Sequence, residues 1–252
     1  AKILGTVMLV LIAYVAFSTN PPVAEAVTHA VAPTHYPWLA TITLIGGTVG
    51  GYITFSGGHR LIDAGITGQE HLTDVRRAAF MGMTVDAVVR ILLFLAVLGV
   101  VSMGYVLDPK DPAGSAFLLG AGEIGHKLFG IVFFCAALTS VVGAAYTSVS
   151  FLKTLFKVVE RYEKLTIMAF IFVSTCILIF IGKPATLLIV AGSVNGLILP
   201  VTLAVMLLAT RKTNIVGDYK HNPVLFYTGW IVVLVTAYIG VTSLQGIAKL
   251  LG

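Results

Sequence analysis

A chain of 252 residues that is 58% apolar and only 11% charged stands well outside the soluble norm of about 45–50% apolar and about 25% charged. With a mean hydropathy of +0.98, it has too little polar surface to cover a water-soluble globule, so it belongs in lipid. Its net charge of +5 does not mark a nucleic-acid binder, because Lys and Arg fall in the loops between apolar runs.

Seven apolar stretches are long enough to cross a bilayer, at about 20 residues per crossing. They predict an all-α polytopic membrane protein with one transmembrane domain over residues 1–252. The first span covers 3–18. Neither an initiator Met nor a charged-then-apolar-then-small cleavage pattern stands before it, which suggests a piece cut from a longer chain. A loop with Asn20-Pro21-Pro22 and Pro33 follows, and a short amphipathic helix is expected over Val23–Val31. The second span is 36–56, introduced by Tyr36-Pro37-Trp38 at the interface. The others are 78–106, 127–156, 165–181, 186–210 and 225–250, the longest of them tilting or reaching past the membrane.

The loop charges support this layout. With Lys2 in the cytoplasm and each span reversing the side, eleven Lys and Arg lie inside, among them Arg60, Arg76, Arg77, Lys153, Arg211 and Lys212. Lys110, Lys127, Lys183 and Lys249 fall outside, and Arg90 lies within the third span. Cytoplasmic loops attract Lys and Arg in this way. The expected location is therefore the plasma (inner) membrane, with the Lys2 end cytoplasmic. An odd number of spans fits a part of an inverted-repeat transporter, in which each repeat carries one broken helix. Its partners would then be the lipid bilayer and the preceding helices of the same transporter.

The broken-helix candidate is the second span. Leu44–Arg60 carries the pairs Gly46-Gly47, Gly50-Gly51 and Gly57-Gly58, although each Gly costs a helix roughly 0.8–1 kcal/mol relative to Ala. Two readings stand. In one, the middle near Gly50-Gly51-Tyr52 unwinds and lines a transport path, since backbone in a bilayer leaves the helix only where protein or a wet cavity satisfies it. Freed carbonyls would then bind a cation, and the next half-helix would begin with a positive dipole end. In the other, Gly46xxxGly50 and Gly47xxxGly51 are packing faces. Thr48, Tyr52, Thr54 and Ser56 add hydroxyls around the glycines, but Ser and Thr also bond back to their own helix.

Asp86 and Arg90 lie four apart, on one face of the third span. An ionisable group at mid-membrane costs at least about 2.5–3.5 kcal/mol and usually marks an ion path or proton relay. Asp86 is thus the candidate for proton handling, with Arg90 as its partner; the alternative is a structural pair near the cytoplasmic end, where Arg90 snorkels. In the fourth span Thr139, Ser140, Thr147 and Ser148 share a face with Gly143 and Ala144, a pattern for close helix packing. In the sixth, Asn195 stands beside Gly192, Ser193 and Gly196 and five residues before Pro200, which frees a carbonyl near Gly196. Asn195 is either a pathway ligand or interhelical glue.

The loop after the second span holds His59, Arg60, Asp63, Glu70, His71, Asp74, Arg76 and Arg77, whose mixed signs read as a solvated, self-paired surface. His59 and Asp63, spaced i,i+4, remain charge-relay candidates at the inner mouth. Cys135 and Cys176 read as small apolar residues. No Walker loop, nucleophile elbow, HExxH or dinucleotide fingerprint is present, so neither an enzyme nor a permanently bound cofactor is expected.

From first span to last, the chain resembles the part from about the fifth to the eleventh transmembrane helix of the Nramp-type divalent metal transporters. GGTVGGYITFSGGH sits where that family unwinds its sixth helix. AALTSVVGAAYTSVSF is similar to its eighth helix, and LLIVAGSVNGLILPVTLAVMLLATRK to its tenth, with Leu199-Pro200 and the basic stop Arg211-Lys212. Where typical members carry Met-Pro-His, this chain has Gly50-Gly51-Tyr52. Oxygen ligands in place of a thioether suit harder ions, so the chain resembles a divergent branch.

The resemblance implies an inverted-repeat, LeuT-like fold and secondary transport of a divalent cation of the Mn, Fe or Mg type, coupled to protons, by alternating access around the broken helix. It implies Gly50 and Tyr52 at the metal, Gly51, Thr54 and Asn195 along the pathway, and the cation as cargo. A symporter of a small organic solute on the same architecture, its carboxylate held at the dipole end, is the alternative. A non-transporting membrane subunit is the third reading.

Overall fold

The structure, a computed structural model, describes residues 2–49, 58, 60–182 and 184–251. Among the described residues every regular element is a helix. In chain order these are α1 (Lys2–Ser18), α2 (Val23–Val31), α3 (Trp38–Val49), α4 (Leu72–Ser102), α5 (Pro112–Leu155), α6 (Lys157–Arg161), α7 (Glu163–Ile181), α8 (Pro184–Ala209), α9 (Thr213–Val216) and α10 (Pro223–Leu251); residues 60–63 are also helical.

Five of the predicted spans stand as helices long and apolar enough to cross a membrane, namely α4, α5, α7, α8 and α10. The first forms as a helix over the expected residues: α1 has 17 residues, at the short end for a crossing, and the chain then bends by 101° into α2. The bend has a local cause. Asn20 takes a positive φ of 44°, and Pro21-Pro22 have no N–H with which to continue the helix. The amphipathic helix expected over Val23–Val31 forms with those bounds. Of the second span, α3 accounts for Trp38–Val49, and residues 50–56 lie outside the described residues.

Two boundaries move for readable reasons. α4 begins at Leu72 rather than 78, because Asp74 in its first turn suits the positive helix end and Arg76, Arg77 and Ala78 are good helix formers. α5 begins at Pro112, where the Asp111 carboxylate accepts from the Gly114 amide at 2.9 Å. Its helical geometry is interrupted at Gly122 (φ 68°, ψ −169°), a conformation open to glycine, so the apolar run predicted from 127 follows a separate opening segment.

Contacts divide the chain into two compact units, one of 1–35 and 70–142, the other of 36–69 and 143–252. In the first, α1 packs on α4 around a core of Leu11, Ile12, Val15, Ala16, Ala96, Val100, Phe117 and Phe129. Phe117 is 1% exposed and stacks on Phe129 with centroids 4.4 Å apart. Phe117→Ala is expected to cost ~3–5 kcal/mol, the scale of an aromatic deleted from a packed interior. Thermal melting in detergent checks it, and an unchanged midpoint would show that this stack does not hold the unit together.

In the second unit, α3 packs on α8 and α10, and α8 on α10. α7 belongs to this unit but has no buried residue among its 19; Phe180 and Ile179 are 87% and 70% exposed. A helix whose long apolar run is left mostly uncovered by protein is stable only with hydrocarbon as its solvent. That is the physical content of calling the chain a membrane protein.

Candidate functional site

The described half of the predicted broken span is held at both ends. At its start Trp38 stacks on Tyr36 (5.2 Å between centroids) and meets Tyr238 of α10 edge-on at 5.7 Å. The buried Ser243 hydroxyl lies 2.9 Å from the Trp38 carbonyl and 2.7 Å from the Ile239 carbonyl of its own helix, its one proton shared between them. These aromatics are the interfacial kind, and they tie α3 to α10.

Further along, α3 and α8 meet backbone to backbone. A Cβ built on Gly46 would lie 1.8 Å from the Gly192 carbonyl oxygen and 2.3 Å from the Gly196 nitrogen. Only glycine on both helices permits that approach. The close contact brings two polar pairs into reach. Thr43 and Ser193 hydroxyls lie 2.8 Å apart, and Ser193 is fully buried. Each also sits 2.7 Å from a carbonyl of its own helix, Leu39 for Thr43 and Ile189 for Ser193. A hydroxyl has one proton, so one of the two gives up its own-helix bond to donate across. The second pair is Asn195, whose Nδ2 donates to the Gly46 carbonyl at 2.9 Å. α8 runs helically through Pro200, which has no N–H to offer the Gly196 carbonyl.

Of the residues expected at the site, Gly50, Gly51, Tyr52, Thr54 and His59 lie outside the described residues. Thr48 is exposed, its hydroxyl turned back onto the Leu44 carbonyl. Asp63 accepts from the Ser150 hydroxyl at 2.9 Å, and Arg60 sits 5.5 Å from the centre of the Tyr146 ring. The segment after the second span is thereby fastened to the C-terminal part of α5. In the first unit Arg90 Nε donates to Asp86 Oδ2 at 2.7 Å, with the two side chains 45% and 51% exposed. The pairing along one helix face is as expected; the exposure means that neither charge is sealed within its own unit.

In the fourth predicted span Thr147 and Ser148 are buried and donate to the Gly143 and Ala144 carbonyls at 2.8 Å, the own-helix bonding that competes with ligation. Among the described residues no three of His, Cys, Asp and Glu gather closely enough to hold a metal ion. Ser150, Ser243 and Thr43 were not singled out from the sequence. The small residues Gly192 and Gly196, four apart in α8 and facing a span with Gly46, were the signal that would have pointed to Thr43.

Apolar helices bare to their surroundings, a glycine-opened seam and an amide set on the carbonyl of a glycine-rich span define a polytopic α-helical membrane protein built around close helix contacts. Residues 1–245 match the profile of the Nramp family, described as natural resistance-associated macrophage protein-like, and the chain belongs to that family, which implies the LeuT-like fold. It is 51% identical over 243 residues, 96% of its own length, to the uncharacterized membrane protein YcsG of Bacillus subtilis. It is also 50% identical over 237 residues, 94% of its length, to an uncharacterized membrane protein of Haemophilus influenzae. The chain spans 60% of the length of each of these relatives. No solved structure matches it.

Proposed function

We propose that the protein is a secondary active transporter that carries a divalent metal cation of the Mn, Fe or Mg type, coupled to protons, by alternating access around the second predicted span. Membership of a transporter family supports transport as such. The observation that carries the finer reading is the Asn195 amide on the Gly46 carbonyl, four residues ahead of Gly50-Gly51-Tyr52. A polar donor is thus built into the helix contact where the glycines begin, next to the stretch this reading assigns to the cation. In this reading Gly50, Gly51 and Tyr52 supply carbonyl and ring oxygen to the cation, Thr54 and Asn195 line its path, and Asp86 with Arg90 moves the proton. His59 and Asp63 stand at the inner mouth. The Lys2 end is cytoplasmic and the membrane is the plasma membrane. The chain works with the remaining helices of the longer transporter.

The test is uptake by the full-length protein in proteoliposomes carrying an inward proton gradient. Saturable Mn²⁺ or Mg²⁺ uptake with proton entry is expected. Flux of an organic solute without metal, or no divalent flux at all, would overturn the reading.

A further inference from the structure

We propose that the junction between α8 and α10 is a docking site for an anionic phospholipid headgroup, built on Arg211, Lys212 and Lys220. The connection is held by its own bonds. The Lys212 carbonyl accepts from the Ile215 amide at 2.9 Å where α9 starts, and the Tyr219 hydroxyl lies 3.3 Å from His221 Nδ1. Asn222 then opens α10, its side-chain oxygen accepting from the Val224 amide at 2.9 Å and its carbonyl from the Phe226 amide at 3.0 Å. Arg211 folds back onto this helix start. Its guanidinium carbon stands 4.2 Å from the centre of the Phe226 ring, one helical turn past Asn222. Because α8 also packs on α10, the cations leaving α8 and Lys220 leading into α10 are gathered at one end of the helix pair.

Aromatic residues set the depth. Phe226 meets Tyr227 and Trp230 edge-on, a ring cluster of the membrane–water boundary, and Ile215, Val224 and Leu225 stay exposed nearby. Cations at that level face lipid headgroups. Three of them stand against the single acid Asp218 in residues 210–222. All three are exposed, and among the described residues none is in an ion pair. Lys153, at the foot of α5, differs in being matched by Glu163 at 3.0 Å. A lipid phosphate supplies the missing negative charge and suits guanidinium and ammonium donors, while the exposed apolar side chains meet its acyl chains. Anionic lipids enrich the cytoplasmic leaflet, the side on which the orientation proposed above puts this end of α8. The site is independent of the cargo.

The experiment titrates the full-length protein in detergent with phosphatidylglycerol or phosphatidylcholine and reads bound lipid by native mass spectrometry, with melting alongside. Phosphatidylglycerol is expected to bind more tightly by about tenfold or more and to raise the melting midpoint. Arg211→Gln/Lys212→Gln/Lys220→Gln should lose on the order of a hundredfold in that affinity, about fivefold per cation at a charged lipid surface. Phe226→Leu keeps every charge but removes the ring under Arg211, and should lose about threefold. Lys157→Gln/Lys164→Gln, exposed cations at the foot of α7, should lose about twofold at most, since salt screens charges that do not touch the headgroup. Equal affinity for the two lipids would overturn the assignment. So would unchanged phosphatidylglycerol binding in the triple variant, an equal loss in the Lys157 and Lys164 variant, or full displacement by soluble glycerol phosphate. Each outcome reads headgroup binding without any ion flux, so it stands or falls separately from the transport reading.

Discussion

Gly46→Ala is expected to lower the stability of the protein by ~3 kcal/mol or more, while Gly47→Ala, one residue along, stays within about 0.5 kcal/mol of wild type. The added methyl at Gly46 would meet the Gly192 carbonyl oxygen at 1.8 Å, the Gly196 nitrogen at 2.3 Å and the Gly192 carbonyl carbon at 2.9 Å. All three are backbone atoms, so no side chain can rotate away. The helices must part by on the order of 1–2 Å, and close packing does not absorb such a shift cheaply. Parting them also stretches the Thr43–Ser193 and Asn195–Gly46 bonds beyond useful length. Gly47 faces the other way, with no atom of the described residues beyond its own helix within 4 Å of its Cβ position, and alanine there gains helix propensity. Melting of the two purified variants in the same detergent decides the matter. Equal losses would mean that α3 does not meet α8 along the Gly46 face.

That contrast also separates what could be read from the sequence from what could not. Apolar runs of 19 residues or more with charged ends identify α4, α5, α7, α8 and α10 unaided, because in lipid composition and length nearly suffice to define a helix. The turn at Asn20-Pro21-Pro22 and the short helix behind it were legible for the same local reasons. The angle of that turn, 101°, is a tertiary quantity that no hydropathy run reveals. The second span carried two interchangeable glycine faces, Gly46xxxGly50 and Gly47xxxGly51. Choosing between them depends on which partner helix offers glycine at the matching height, and that is a tertiary fact. Gly192 and Gly196 were visible as small residues beside Asn195, but their register against Gly46 was not. For the same reason Asn195 was left with two roles and Ser150 with none. A hydrogen bond between residues 149 apart or 87 apart has no signature in local spacing. Asp86 and Arg90 were the opposite case, since helical periodicity alone places them on one face.

For that pair, Asp86→Asn is expected to cut proton-coupled divalent uptake by about a hundredfold, the low end of what a positioned proton-transfer group contributes, with little change in folded yield. An exposed ion pair in water adds at most about 1 kcal/mol, so a purely structural Asp86–Arg90 bridge would be a poor reason to keep two charges in so apolar a span. Inserting either charge costs at least about 2.5–3.5 kcal/mol, and their half-open side chains are not sheltered by the rest of the first unit. Such groups persist when water or further protein meets them and something is gained from their ionisation. Asn keeps the size of the side chain and an oxygen that can still accept from Arg90 Nε, which is why the fold is expected to survive; what it loses is a carboxyl group that can take up and release a proton. Two readouts separate relay from scaffold. Asp86→Glu, which restores a carboxyl group, should recover part of the uptake, and in Asp86→Asn the residual uptake should no longer respond to the imposed pH gradient. If Asp86→Asn carried the ion at the wild-type rate with the wild-type gradient dependence, the proton would have to travel by another route, and the Asp86–Arg90 bond would be reduced to a brace along one turn of α4.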